Sequence, residues 1–325
     1  MFRLKDIAEK AGVSISTVSK FLNGKGSLSA RTEERIRQAL ESLGFQGIPV
    51  RKQRSKLKVV GVVIPDIENP FFSSVTKTLE LLLFRYGYFL LLCNTENSAD
   101  LERQFVSYLG RSGVRGILLV PATSEKRFDA FERNIPVLLL DRTIRGTNLP
   151  FVMTNHYQGA RIAVSYLVQK GRRRIAFIGG RKDISVYEDR LKGYMDELQE
   201  QGLDVDHDIV IESDFSFQGG YNTVSLLYER RKPFDAIFAA NDLVALGAIE
   251  RLRELGVAVP HEVSVVGFDD IWLSRLSHPR LTTIRQPIHE LCKEAVTTLL
   301  KLIDGGEVRV SSKILEPQLV VRESC

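Results

Sequence analysis

From Val59 onward the hydrophobic pattern of this chain admits few folds. Short apolar runs at 59–64 (VVGVVI), 89–93 (FLLLC), 116–120 (GILLV), 136–140 (PVLLL), 151–154 (FVMT), 174–179 (RIAFIG), 209–213 (IVIES), 236–240 (AIFAA) and 264–268 (SVVGF) alternate with amphipathic stretches. Those stretches repeat at helical spacing over 71–86, 101–112, 159–169, 190–201, 220–229, 243–255 and 289–303. Strands that are apolar on both faces and separated by helices belong to parallel sheets covered on both sides. The alternation holds more strands than one ordinary doubly wound sheet, so two α/β lobes are predicted over 59–325.

The first residues follow a different period. In LKDIAEKAGVSISTVSKFLN (4–23), Leu4, Ile7, Ala8 and Ala11 recur at helical spacing, and Gly12 supplies the positive φ of a tight turn. Ser14 is placed to cap a second helix, whose Val18, Phe21 and Leu22 pack back on the first. This is the helix-turn-helix pattern of DNA readers. Ile15, Ser16, Ser19, Lys20 and Asn23 point away from that apolar face, and Thr17 sits at the helix start. Short hydroxyls, an amide and a base suit base edges and phosphates. Ser29 is placed to cap a third helix with an Ile36, Leu40 and Leu43 stripe, ended by Gly44 and closed by Phe45. An all-α headpiece over 1–46 is therefore expected, followed by a basic linker over 47–58.

Charge agrees with that division. Residues 1–58 carry 13 Lys and Arg against 5 Asp and Glu, while 59–325 carry 32 against 35. A basic module on a near-neutral body is what phosphate binding requires. Within the linker, Arg51 and Arg54 suit phosphates or a narrow minor groove, whereas Gly47 and Pro49 disfavour a regular helix. No apolar run approaches a membrane span, and the charged amino terminus is no secretory signal, so the cytoplasm is expected. Cys93, Cys292 and Cys325 are widely spaced, and the five histidines are scattered. They make neither a disulfide framework nor a metal site. No catalytic constellation and no GxGxxG or GxxxxGK[ST] loop is present, so neither an enzyme nor a cofactor is expected.

Polar residues gather just past the strands' carboxyl ends: Asp66, Asn94, Asp141-Arg142, Gly179-Gly180, Asn241-Asp242 and Asp269-Asp270. Open α/β sheets bind ligands at that edge, and Phe72 and Phe215 are available for stacking. Asp and Asn at such places also cap the helices that follow.

With these segments in view the chain resembles the lactose-repressor/galactose-repressor (LacI/GalR) family over nearly its whole length. LKDIAEKAGVSISTVSKFLNG, IPDIENPFF, GILLVPA, IPVLLLDR, AIFAANDLVALGAIERLRELGVAVP, VSVVGFDD and PRLTTIRQP match its typical segments in order and spacing. The resemblance implies a homodimeric regulator of a palindromic DNA operator, with a core like periplasmic sugar-binding proteins whose lobes join through crossover strands. It places DNA reading on Ile15 and Ser16 (base edges) and on Thr17, Ser19, Lys20 and Asn23. It places effector binding on Phe71, Phe72, Asp141, Arg190, Phe215, Asn241, Asp269 and Gln286. The implied effector is a sugar or sugar derivative, with a nucleoside or nucleobase between Phe72 and Phe215 as the alternative. Trp272 is a further candidate for stacking, with a core or interface role as its alternative. Two departures stand out. Thr154 replaces the aspartate usual before Asn155, which is expected to change ligand polarity, and the hinge lacks the Ala-Arg-x-Leu segment.

Overall fold

The computed structural model describes residues 4–23, 28–43, 57–125, 135–305 and 312–325. The chain divides into two units, Met1–Leu57 and Lys58–Cys325. The hinge readings on Arg51 and Arg54, and those on Gly44 and Phe45, lie outside the described residues.

The first unit holds α1 (Leu4–Ala11), α2 (Ile15–Asn23) and α3 (Ala30–Ser42). Ile7, Ala8, Ala11, Val18, Phe21, Ile36, Ala39 and Leu40 form its buried core. Leu4 does not join them; it is 44% exposed, one turn ahead of the packed residues. The turn closes as the sequence requires. Val13 N donates to Ala8 O at 3.0 Å and Gly12 N to Glu9 O at 3.2 Å, with Gly12 at φ +61°. Arg35 of α3 then ties the corner, its Nη2 donating to Gly12 O at 3.0 Å. Ser14 Oγ accepts from Thr17 N at 3.1 Å and Ser29 Oγ from Thr32 N at 3.3 Å, capping α2 and α3.

The second unit contains two six-stranded sheets. The first is built from β1 (Lys58–Ile64), β2 (Tyr88–Asn94), β3 (Gly116–Leu119), β4 (Val137–Leu140), β5 (Phe151–Thr154) and β11 (Lys313–Leu315). Their order is β11-β5-β4-β3-β1-β2. The second contains β6 (Ile175–Ile178), β7 (Val210–Ile211), β8 (Ala236–Ala239), β9 (Ser264–Asp269), β10 (Thr282–Arg285) and β12 (Gln318–Val320), in the order β12-β10-β9-β8-β6-β7. Apart from the β10–β12 pair, every described pairing is parallel. Each lobe places its first strand between its second and third, the switch at which open α/β sheets receive ligands. Helices α4 (Pro70–Arg85), α5 (Ala99–Ser112) and α10 (Ile288–Ile303) cover the first sheet. Helices α6 (His156–Gln169), α7 (Ser185–Glu200), α8 (Phe217–Glu229) and α9 (Asp242–Glu254) cover the second.

Three short passages connect the lobes among the described residues: β5 into α6, β10 into α10, and β11 into β12. Sequence patterning left β10, β11 and β12 unread, because three or four residues with polar flanks carry no clear period. It also overextended the 209–213 run, of which only Val210–Ile211 is strand. Lys58, read as the end of the linker, opens β1. The 89–93 run is not covered on both faces. As β2 it forms the edge of its sheet, with Phe89, Leu91 and Leu92 exposed. No helix among the described residues is long and apolar enough to cross a membrane.

Candidate functional site

The headpiece presents α2 through its N-terminal half. Ile15, Ser16 and Lys20 are exposed, while Thr17 and Ser19 are half-buried at the edge of the helix packing. Thr17 is partly committed to structure, its Oγ1 lying 2.7 Å from the capping Ser14 Oγ. The side chain of Asn23 lies outside the described residues. The face read from sequence is therefore the one that the packing of Val18 and Phe21 leaves outward.

In the second unit one small cavity lies between the lobes at the carboxyl edges of both sheets. Phe71, Phe72, Asp141, Arg190, Phe215, Asn241, Asp269 and Gln286 all line it, joined by Asn69, Arg142 and Val186. Each is placed by a local rule. Asn69 caps α4 by accepting from Phe71 N at 3.0 Å, which points Phe71 and Phe72 inward, their rings 5.1 Å apart and edge to face. Ahead of that cap, Asn94 Oδ1 accepts from Ile67 N at 3.0 Å and Asp66 Oδ1 from Glu68 N at 2.9 Å. Asp66 and Asn94 thus shape the loop and do not line the cavity. Asp141 follows β4 and Asp269 ends β9, at φ +63° and +108°, conformations that L-residues adopt only when surrounding structure holds them. Beside Asp141 the backbone folds back tightly, Arg142 N donating to Leu140 O at 2.6 Å. Gly180 has a packing reason, since a Cβ there would stand 2.1 Å from the Phe215 ring.

A charged network fills the floor. Arg190 is 3% exposed; its guanidinium lies 3.8 Å from the Phe268 ring centroid, donates to Ala240 O and sits 3.7 Å from Asp269 Oδ1. Gln286 Nε2 donates to Asp269 Oδ1 at 2.8 Å. Burial pushes Asp269 up to about 7, against the pull of Arg190 and Gln286. Burial also raises Asp141, but His156, Arg142 and Arg190 outweigh it and hold the group below its ordinary range. Burial lowers Arg190, which the surrounding aspartates oppose.

Arg142 was named at the strand end but not assigned to the site, and it has the least expected position. Its guanidinium lies 5.2 Å from the Phe72 centroid and 5.6 Å from Phe215, with Nη1 donating to Pro121 O at 3.0 Å. The stacking place between those two rings, read from sequence as room for a flat ligand, is held by an arginine. Asn241 combines both readings of its position, since its Oδ1 caps α9 at Val244 N (2.9 Å) while the residue lines the cavity. Asp242 and Asp270 are structural. The first accepts from Ile271 N at 2.8 Å and from Thr283, and the second is held by Arg322, Arg285 and Arg275. Thr154 is buried but does not line the cavity, so no direct contact carries the expected change of ligand polarity. Trp272 is 58% exposed and is not among the residues lining it, which excludes a core role within the chain.

Comparison with known proteins follows the same division. Residues 3–47 match the bacterial regulatory proteins, lacI family, and residues 164–325 a periplasmic binding protein-like domain. The ribose operon repressor of Halalkalibacterium halodurans is 34% identical, covering 100% of this chain and 97% of its own length. The transcriptional repressor CytR of Escherichia coli is 32% identical, covering 99% and 95%. Among solved structures, a LacI family transcriptional regulator from Enterococcus faecium with bound ribose superposes with a TM-score of 0.74. It shares 30% identity over 82% of this chain and 98% of that one.

Proposed function

The chain belongs to the lacI family of bacterial regulatory proteins, and we propose that it is a repressor whose effector is a small neutral sugar, a pentose such as ribose. As a member of that family it is a ligand-responsive transcription regulator and binds DNA; it is not an enzyme.

One observation supports the ligand class above the rest. Around the cavity, Arg142 Nε and Arg190 Nε are buried donors without a hydrogen-bond partner, and Gln286 Oε1 is an acceptor in the same condition. A hydroxyl donates and accepts, so a polyol satisfies both sets at once, and buried polar groups left unmet are costly. Two arginines face two aspartates, a balance that favours a neutral ligand over a phosphorylated one. In this reading Asp141, Arg190, Asp269, Asn241 and Gln286 meet hydroxyls, while Phe71, Phe72 and Phe215 wall the apolar face of the ring. A repressor named for the ribose operon and a regulator crystallised with ribose lend further support. A nucleobase is disfavoured because Arg142 stands where it would stack.

On DNA, Ile15 and Ser16 reach base edges, Thr17, Ser19, Lys20 and Asn23 complete the reading positions, and Arg51 and Arg54 add phosphate contacts from the linker. The operator is pseudo-palindromic, read in the cytoplasm by a homodimer. Its interface includes the exposed apolar face formed by α4 and β2, where Phe84 and Phe89 pack edge to face at 6.1 Å.

Titration of the full chain with D-ribose by calorimetry tests the ligand reading. Operator affinity, on duplexes selected from random sequence, is followed in parallel. Saturable uptake is expected, with a shift in operator affinity of about 5–150-fold. No uptake of any pentose, or a response to a nucleoside instead, would sink the sugar assignment.

A further inference from the structure

His156 is absent from the cavity wall, yet it touches cavity-lining residues of both lobes. It opens α6, directly after β5 has carried the chain from the first sheet toward the second, and its side chain is fully buried. On one side, Nε2 stands 3.2 Å from the Asp141 carbonyl oxygen and 3.3 Å from Asp141 Oδ1. On the other, Nδ1 lies 3.1 Å from Arg190 Nη2. The ring rests on Phe268 at 5.6 Å between centroids, the same ring that carries the Arg190 guanidinium.

The donor inventory leaves one arrangement. A guanidinium only donates, so Nδ1 accepts from Arg190 and carries no proton. The proton is then on Nε2, which donates to Asp141. Asp141 belongs to the first lobe and Arg190 to the second, so the imidazole is rigid and of fixed length between two groups that must approach a common ligand. A neutral His tautomer is set by the bond its other nitrogen makes, and both nitrogens here have a partner.

We infer that His156 is a positioning residue that ties Asp141 to Arg190 across the passage between the lobes and sets the separation at which the two can grip one effector. The inference rests on the cavity being the effector site. It makes effector affinity depend on a residue that does not touch the effector, through groups that do.

The test has two arms on the full chain. In the first, 15N-histidine labelling reports the tautomer with no ligand present, the His156 signal being assigned by its loss in His156→Gln. A ring protonated on Nε2 alone is expected, with the Nδ1 resonance moving in Arg190→Met as its donor is removed. A proton on Nδ1, or an Nδ1 signal indifferent to Arg190→Met, overturns the link. In the second arm D-ribose is titrated into three variants. Gln can bring an N–H to the Asp141 side, Asn can bring an oxygen to the Arg190 side, and Phe fills the space and does neither. Phe is expected to lose at least about tenfold in affinity, equivalent to ~1.4 kcal/mol, with Gln and Asn each losing less. Equal losses in all three, or none in Phe, reduce His156 to packing and overturn the proposal. If the wild type takes up no D-ribose the sugar reading fails separately, and the tautomer arm alone decides this one.

Discussion

Arg190 shows how far single residues were legible. The resemblance places it with Asp269 in the effector site, as a charged pair expected to grip one ligand from opposite lobes; the fold instead puts both on the second lobe, 3.7 Å apart at the cavity. Removing either leaves its partner charge buried and unmet, so Arg190→Ala and Asp269→Ala should abolish the response to sugar. Operator binding without sugar should stay within a few-fold, because neither residue belongs to the headpiece. Anisotropy titrations of operator with and without D-ribose check this, and variants that respond like the wild type would clear the cavity of that role. Arg142 and His156 were not assigned to the site for physical reasons. A guanidinium between two rings, or an imidazole bridging a strand's end and a helix of the other lobe, is a product of three-dimensional convergence and has no sequence spacing. Glu102 is a third such case. Buried on α5, it accepts from Ala122 N at 2.5 Å, and burial pushes it up to about 7 against that bond and Arg142. Above its ordinary pKa of 4.5 the unfolded chain has lost the proton while the fold still holds it. Stability is therefore lost as pH rises through the window from about 4.5 to about 7. Glu102→Gln keeps the acceptor without the titration, so it should gain on the order of 2–3 kcal/mol over the wild type between pH 5 and pH 8. Urea denaturation at the two pH values measures it, and a pH-independent difference would refute it.

At the scale of elements, long periodic segments were read well and short ones poorly. Apart from α7, which begins at Ser185 well ahead of the pattern read from 190, the helices from α4 to α10 begin and end within a few residues of their apolar patterns, because sixteen-residue stretches such as α4 and α10 repeat their period several times. β10, β11 and β12 span only three or four residues and are held by pairing with neighbours, information that lies elsewhere in the chain. In the headpiece, the second helix was legible because Gly12 and Ser14 mark its start chemically, and Val18 marks its inner face. Its outer face makes separable predictions. Ser16→Ala removes a hydroxyl proposed to read base edges, so it should change which bases are preferred, by about 1–3 kcal/mol at the affected position. Lys20→Ala should weaken all sequences alike and flatten the slope of log affinity against log salt by about one. Binding-site selection at two salt concentrations separates the two effects. If Ser16→Ala leaves the preferred sequence intact, α2 does not read bases through that residue.

At the scale of the molecule, the misread strand becomes informative. The run FLLLC predicted a strand hidden on both faces, yet β2 lies at a sheet edge with Phe89, Leu91 and Leu92 exposed. Next to it, Leu81 and Phe84 of α4 and Tyr86 just beyond it are also exposed, Phe84 at 64%. A monomer seldom leaves an edge strand and its covering helix this apolar, since the edge offers unpaired backbone and the side chains exclude water. A second copy of the chain fits the requirement, and a two-fold axis would pair the same patch with itself. A second copy over this face would supply the burial that the sequence pattern predicts for the run. Phe84→Glu with Phe89→Glu places charge in that patch on both partners at once. If each copy of the patch loses about a tenfold factor, the dimer weakens by roughly a hundredfold. Sedimentation velocity should then show monomer at concentrations where the wild type is dimeric. On DNA the same variant should bind a single half-site as the wild type does, while losing its advantage on the palindrome. Dimeric sedimentation unchanged by the double substitution would mean that the partner sits elsewhere and that this face is covered by something else.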